Sequence, residues 1–256
     1  MFLSHGSCGD ALVIIRDCTL EPRPVIVNHT HKFIFVHVPK SAGTSVTELF
    51  SQYSSFRDLE VGGTALGEAL QNEFKKRFGL TKHATASEIR TIAGPEMWSA
   101  YFSFGIVRNP YARAQSTFHF MKRWRGNKEM DKLKFIENMP DFRTFALSPK
   151  LKRKQYHRLL WSQTQWLCDE QGKLLVDQVG HLESLNADLA QIQAAIPGLP
   201  QRTQAEKTLA APKRNKSDAD DEALQQLLRD EPEVEQALYE AYRDDFETFG
   251  YPRFQT

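Results

Sequence analysis

The sequence predicts a three-layer α/β domain, with a central, mainly parallel sheet flanked by helices. Three observations carry this expectation. Two continuous apolar runs, "KFIFVHV" at 32–38 and "YFSFGIV" at 101–107, suit central strands covered on both faces. Each runs into a turn and then into helix-forming sequence. Strand-like and helix-like segments alternate along the chain, which favours parallel strands joined by helical crossovers.

The elements follow in order. "ALVIIRD" (11–17) and "PVIVN" (24–28) read as short strands split by the turn "EPRP". After the strand at 32–38, "GTSVTELFSQY" reads as a helix. Residues 65–78 carry Leu66, Leu70, Phe74 and Phe78 at helical spacing. "TASE" at 85–88 fits a capping box, with Thr85 as N-cap and Glu88 three residues later. Pro95 in "GPEMWSAY" suits a first helical turn, and Pro110 can start the helix "YARAQSTFHFMKRW". Residues 128–168 look helical and basic. "KLLVDQVG" (173–180) reads as a third strand of the sheet, and "LESLNADLAQIQAAI" as a helix stopped by Pro197 and Gly198. A polar loop is expected over 199–217, then acidic helical sequence to the end.

The 256 residues suit one domain, 1–256, in which 1–31 form an N-terminal extension. No apolar run approaches the roughly 20 residues of a membrane span. "MFLSHGSCGDALVIIRD" has neither a basic start nor a secretory core, so a soluble, cytoplasmic chain is expected. Cys8, Cys18 and Cys168 show no zinc-like spacing, and an odd number suits a reducing compartment.

Net charge is +1 but unevenly spread. From Arg108 to Arg158 there are 14 Lys or Arg against 4 Asp or Glu; from Asp218 to Glu247 there are 2 against 12. The basic block fits either an anionic ligand or helix faces that neutralise the acidic block. No nucleic-acid-binding motif is present, and no feature assigns an oligomeric state.

The segment "PKSAGTS" (39–45) holds the parts of a phosphate site. Such a site needs backbone N–H groups converging at the positive end of a helix, and gains from a mobile cation and hydroxyls. Lys40 ends the strand, Ser41 and Ala42 are small, Gly43 allows a backbone turn that a side chain would obstruct, and Thr44 and Ser45 offer hydroxyls from the first helical turn. A Walker A loop places its Lys after the second glycine; here Lys40 precedes Gly43.

A second constellation, "IVRNPYARAQS", also ends a strand and opens a helix. Arg108 beside a helix N-terminus can hold a phosphate bidentately. Ser116, eight residues on, faces inward about two turns up the helix, since two turns take roughly seven residues.

Together these stretches resemble the sulfotransferases that use 3′-phosphoadenosine 5′-phosphosulfate as donor. In that family a central strand is followed by Pro-Lys, a small hydroxyl residue, a variable position, then Gly-Thr and Ser or Thr. Every one of those positions matches at 39–45. The family's 3′-phosphate site carries Arg and Ser at the spacing of Arg108 and Ser116, with Asp or Asn then Pro between them, as in Asn109-Pro110. Arg113 matches a common family arginine without an assigned role. The resemblance implies a P-loop-like domain, with Lys40, Ser41, Ala42, Gly43, Thr44 and Ser45 on the 5′-phosphosulfate and Arg108 and Ser116 on the 3′-phosphate.

The resemblance also implies sulfuryl transfer without a metal, and an acceptor that is a glycan or glycolipid hydroxyl. A base must reach that hydroxyl. His83 in "KHATASEIR" is the first choice, because carbohydrate sulfotransferases similar to the heparan 2-O and chondroitin 4-O enzymes often carry a histidine in this interval, and bacterial relatives show a similar segment. A surface or capping histidine is the plain alternative. His37 ranks second and His119 third; His29 and His31 read as loop residues.

"WSQTQWLCDEQGKLLVDQVGHLESLNADL" (161–189) is similar to the central part of the same group, which suggests that Gln163, Gln165 and Trp166 border the acceptor cleft and that Glu183 is structural or cleft-lining. Arg214, Asn215 and Lys216 resemble a basic loop that closes over the donor; a plain loop before a helix capped by Ser217 fits equally. Two rivals stand beside this reading. A nucleotide kinase predicts Walker A order and an acidic magnesium ligand, for which Asp177 is the obvious candidate. A non-catalytic nucleotide- or glycan-binding protein predicts donor binding without turnover.

Overall fold

The computed structural model describes residues 25–62, 65–81, 83–123, 134–152, 157–200 and 218–254. The expected strand at 11–17, Cys8, Cys18, Ser217 and the Arg214–Lys216 segment lie outside the described residues.

Five strands form one sheet: β1 (Val25–Asn28), β2 (Phe33–Val36), β3 (Leu59–Val61), β4 (Phe102–Val107) and β5 (Gln178–His181), in the order β3-β1-β2-β4-β5. The sheet is mixed, which corrects the expectation of a mainly parallel one. β2–β4 and β4–β5 are parallel, whereas β1–β2 and β1–β3 are antiparallel. The reason is chain length. Only residues 29–32 join β1 to β2, enough for a hairpin but far short of the dozen or so residues a parallel crossover needs. β3 was not expected at all; its first two residues are only half-buried and give no apolar run.

The helices are α1 (Gly43–Phe50), α2 (Ala65–Phe78), α3 (Ala86–Ala93), α4 (Pro95–Ala100), α5 (Pro110–Arg123), α6 (Phe142–Ala146), α7 (Pro149–Lys152), α8 (Thr164–Leu167), α9 (Leu185–Ala195), α10 (Asp218–Asp230) and α11 (Pro232–Phe249). Local signals place several of them. The Thr85–Glu88 capping box forms in both directions at the start of α3, and Pro95 opens α4. The spacing read in α2 is less informative: the helix packs on the edge strand β3, and Leu70 and Phe78 are exposed.

Alternation along the strands fills both faces of the sheet. Val25, Val27, Ile34 and Val36 pack with Ile89, Trp98, Trp166 and Leu167. Ile26, Phe33, Phe35, Phe104 and Ile106 pack with Val46 and Phe50 of α1 and Leu189 and Ile192 of α9. Helices therefore cover two sides, the three-layer arrangement the apolar runs implied. A third core joins α5, α6 and α7 to α10 and α11. Here the basic and acidic blocks meet: Arg143 of α6 pairs with Glu231 and with Glu233 at 3.0 Å.

The parallel strands β2, β4 and β5 end on one edge of the sheet, where open α/β sheets hold their ligands. No helix among the described residues is long and apolar enough to cross a membrane.

Candidate active site

β2 feeds the first loop. Lys40 (φ 68°) and Ala42 (φ 58°) both adopt left-handed backbone angles, and Ala42 is the N-cap of α1. Gly43 does not, so the turn is not its contribution. Its contribution is space: a Cβ on Gly43 would lie 1.7 Å from His37 Nε2. The His37 ring, 1% exposed, fills the volume a side chain would take.

Left-handed non-glycine residues cost about 1–3 kcal/mol each and persist only where their surroundings fix them. Three bonds fix this loop. Arg113 Nε–H donates to the Pro39 carbonyl at 3.0 Å, Arg108 Nη1 to the Lys40 carbonyl at 3.4 Å, and Ser41 Oγ–H to Gln163 Oε1 at 3.1 Å. The carbonyls turn toward guanidiniums. The first amides of α1, which by helix geometry have no intrahelical acceptor, lie at its positive end beside half-buried Thr44 and Ser45. Lys40 Nζ stands 4.4 Å from the ring centre of Phe120 on α5.

β4 feeds the second loop. Arg108 is buried, and its Nη1 contact with Lys40 puts the two loops side by side. Burial holds its guanidinium below the usual arginine range, with nearby Glu183 opposing that shift. Asn109 Oδ1 accepts from the amides of Tyr111 (3.1 Å) and Ala112 (3.3 Å), capping α5. Ser116 is half-buried on the second turn of α5. Phe120 lies four residues on, on the same helix face, so the Lys40 ammonium extends along the face that carries Ser116. Glu183, just past β5, accepts from the Asn109 amide at 2.7 Å and from the Tyr251 hydroxyl at 2.9 Å. It is a tie between β5, α5 and the C-terminal segment.

His83 lies in the turn before α3. Its carbonyl accepts from Arg158 Nη1 at 3.0 Å, and Arg158 also grips both oxygens of Glu88, the capping-box carboxylate. Burial opposes the Glu88 charge, but Arg158 and the Thr85 amide hold its carboxyl below the usual range. The His83 ring centre is 5.5 Å from that of His37 and 6.2 Å from Trp166. Two histidine rings thus extend from beneath Gly43 to the His83 turn. The other histidines considered from the sequence lie apart: His29 shares a 2.8 Å hydrogen bond with Tyr101 and His31 packs on Tyr53, both in the turn entering β2. His119 is exposed on α5.

Four side chains beside the loops were not read as structural from the sequence. Gln163 was expected at an acceptor cleft, yet it is fully buried between the two loops. Trp166 is equally buried, and Gln165 Oε1 accepts from the Ser162 amide at 3.0 Å. The only sequence hint was that polar residues embedded in an aromatic stretch must bury with partners. Arg113 was left without a role. It is 1% exposed and clasps Pro39 to the Trp161 carbonyl, the latter at 2.8 Å. Asp245 of α11, also buried, accepts from the Thr164 amide at 2.9 Å. Burial pushes its carboxyl above the usual range, and the charge of Arg113 opposes this.

Arg113→Leu should therefore destabilise the protein by about 2–5 kcal/mol, because it leaves the Pro39 and Trp161 carbonyls without their donor and removes the charge that offsets Asp245. A group with a raised folded pKa loses its stability contribution as pH rises. The penalty, read from denaturant midpoints, should be smaller in mildly acidic than in alkaline buffer, where Asp245 must ionise. A penalty independent of pH would show that Arg113 does not compensate Asp245.

No group of three or more His, Cys, Asp or Glu among the described residues is placed to hold a metal ion. The family model described as "Sulfotransferase family" matches residues 23–252, from the segment preceding β1 to beyond α11. No curated protein and no solved structure shows a significant match to the chain.

Proposed function

Because the chain belongs to the sulfotransferase family, we propose that it transfers a sulfuryl group from 3′-phosphoadenosine 5′-phosphosulfate to a hydroxyl of a glycan or glycolipid. One observation carries the choice of donor. Two anion-directed loops end adjacent parallel strands, and Arg108 of one reaches the Lys40 carbonyl of the other at 3.4 Å. A donor with phosphates at both ends of its ribose needs two such sites side by side.

In this reading, Lys40 and the backbone from Ser41 to Ser45, with the hydroxyls of Thr44 and Ser45, hold the 5′-phosphosulfate. Ser41 contributes its amide, since its hydroxyl is committed to Gln163. Arg108 and Ser116 hold the 3′-phosphate, and Arg214, Asn215 and Lys216 are further donor contacts. The acceptor oxygen attacks sulfur as the bond from sulfur to the bridging phosphate oxygen breaks. The electron pair leaves on that phosphate, where the Lys40 ammonium stabilises it, and the acceptor proton passes to His83. No metal takes part. The fold is P-loop-like in the sense that a strand-to-helix loop holds the phosphate.

The test has two stages. 3′-Phosphoadenosine 5′-phosphate should raise the thermal midpoint, and ATP with magnesium should not; the reverse preference would sink this reading. Sulfate transfer to a panel of glycans should then be detectable and should fall by about 10²–10⁴-fold in His83→Ala. An unchanged rate would remove His83 as the base.

A further inference from the structure

Gln163 is a neutral amide with no exposed surface, placed where β2 and β4 deliver their loops. Its Oε1 accepts from the Arg108 amide at 2.8 Å, and its Nε2–H donates to the Arg108 carbonyl at 2.8 Å. The side chain thus does for Arg108 what a neighbouring strand would do, extending the ladder past the end of β4. The same Oε1 accepts the Ser41 hydroxyl at 3.1 Å, which its two lone pairs allow. One planar group therefore grips the backbone of the second loop on both sides and the side chain of the first. Because all three bonds are buried, removing the Gln163 amide leaves the Arg108 amide and carbonyl and the Ser41 hydroxyl without this partner. One side chain thus joins the two loops, alongside the contact of Arg108 with the Lys40 carbonyl.

We propose that Gln163 is a positioning residue that fixes the separation of the two loops, and so selects a nucleotide bearing phosphates at both the 3′ and 5′ positions over one bearing a single phosphate. This rests on the two-loop reading above. A residue that only stabilised the fold would weaken all nucleotides alike. A spacer acts most on the ligand that must span both loops and less on a one-loop ligand.

The measurement is calorimetric binding of 3′-phosphoadenosine 5′-phosphate and of adenosine 5′-phosphate to the full chain and to two variants. Gln163→Met keeps the length and removes all three bonds. Ser41→Ala removes only the bond between the loops and leaves Arg108 held, so it serves even where Gln163→Met fails to fold. The preference for the bisphosphate should shrink about tenfold or more in Gln163→Met, and by a smaller factor in Ser41→Ala. Affinity for adenosine 5′-phosphate should fall by a smaller factor than that for the bisphosphate in both variants. Parallel weakening of both nucleotides, or an unchanged ratio, would overturn the proposal. If the unmutated chain shows no preference for the bisphosphate, the two-loop reading fails and this proposal falls with it. A retained preference in the unmutated chain together with an unchanged ratio in the variants would refute Gln163 alone.

Discussion

Lys40→Ala should leave the fold intact and lower the rate of sulfate transfer by about 10²–10³-fold, the usual effect of removing one group that meets charge developing on a leaving oxygen. The side chain leaves the loop after β2 beside α1, and its ammonium lies over the Phe120 ring. The side chain is half-buried and outside the packed cores, so stability should change little. The backbone allows the two contributions of this position to be separated. Lys40 has a φ of 68°, a conformation that alanine tolerates no better and glycine adopts freely. Lys40→Gly should be as inactive as Lys40→Ala, yet more stable by up to about 1 kcal/mol. The readings are turnover at saturating donor and the midpoint of urea unfolding. A Lys40→Ala rate within about threefold of the unmutated chain would rule out transition-state stabilisation by this ammonium.

How much of this was legible in the sequence depends on how far each signal reaches along the chain. The two central strands, the capping box at Thr85 and the helix begun at Pro110 all rest on neighbours within a few residues. Both loops at the strand ends were legible for the same reason, since each is a strand end joined to a helix start. The antiparallel hairpin was also within reach: "HTHK" between the first two described strands is too short to cross over. β5 was expected over 173–180 and forms at Gln178–His181. Apolar content alone could not show that Asp177 would turn its carboxylate onto the Ser103 amide and hydroxyl, both at 2.8 Å, or that Leu174 would bridge to Cys168 instead.

What connects the loops was hidden for a different reason. Gln163 is 55 residues from Arg108 and 122 from Ser41, and a buried polar contact at that range leaves no periodic trace. Glu183 and Asn109 are joined over 74 residues in the same way. The sequence thus exposes the groups aimed at a ligand, while the groups that aim them must be read from the fold.

Gly43 shows how a right expectation can have a different physical cause, and it supports the second large prediction. Its φ is not left-handed, so Gly43→Ala carries no backbone penalty of that kind. Yet the added methyl carbon would stand 1.7 Å from His37 Nε2 and 1.8 Å from Cδ2. Either the ring must leave its pocket beside His83, or the start of α1 must shift and carry Thr44 and Ser45 with it. Gly43→Ala should therefore cost at least the 1–3 kcal/mol or so of ordinary overpacking, and abolish binding of 3′-phosphoadenosine 5′-phosphate. Gly79→Ala is the control. Gly79 is left-handed (φ 67°) with nothing within 4 Å of an added Cβ, so it should cost about 1 kcal/mol and leave binding alone. His37→Ala, which empties the space, should make the methyl at position 43 tolerable. The double variant should then be more stable than Gly43→Ala by itself, although His37→Ala alone is destabilising. Such a sign reversal marks groups that touch or share one space in the packing. If the two losses simply add in denaturant unfolding, the His37 ring does not occupy the space that Gly43 leaves open.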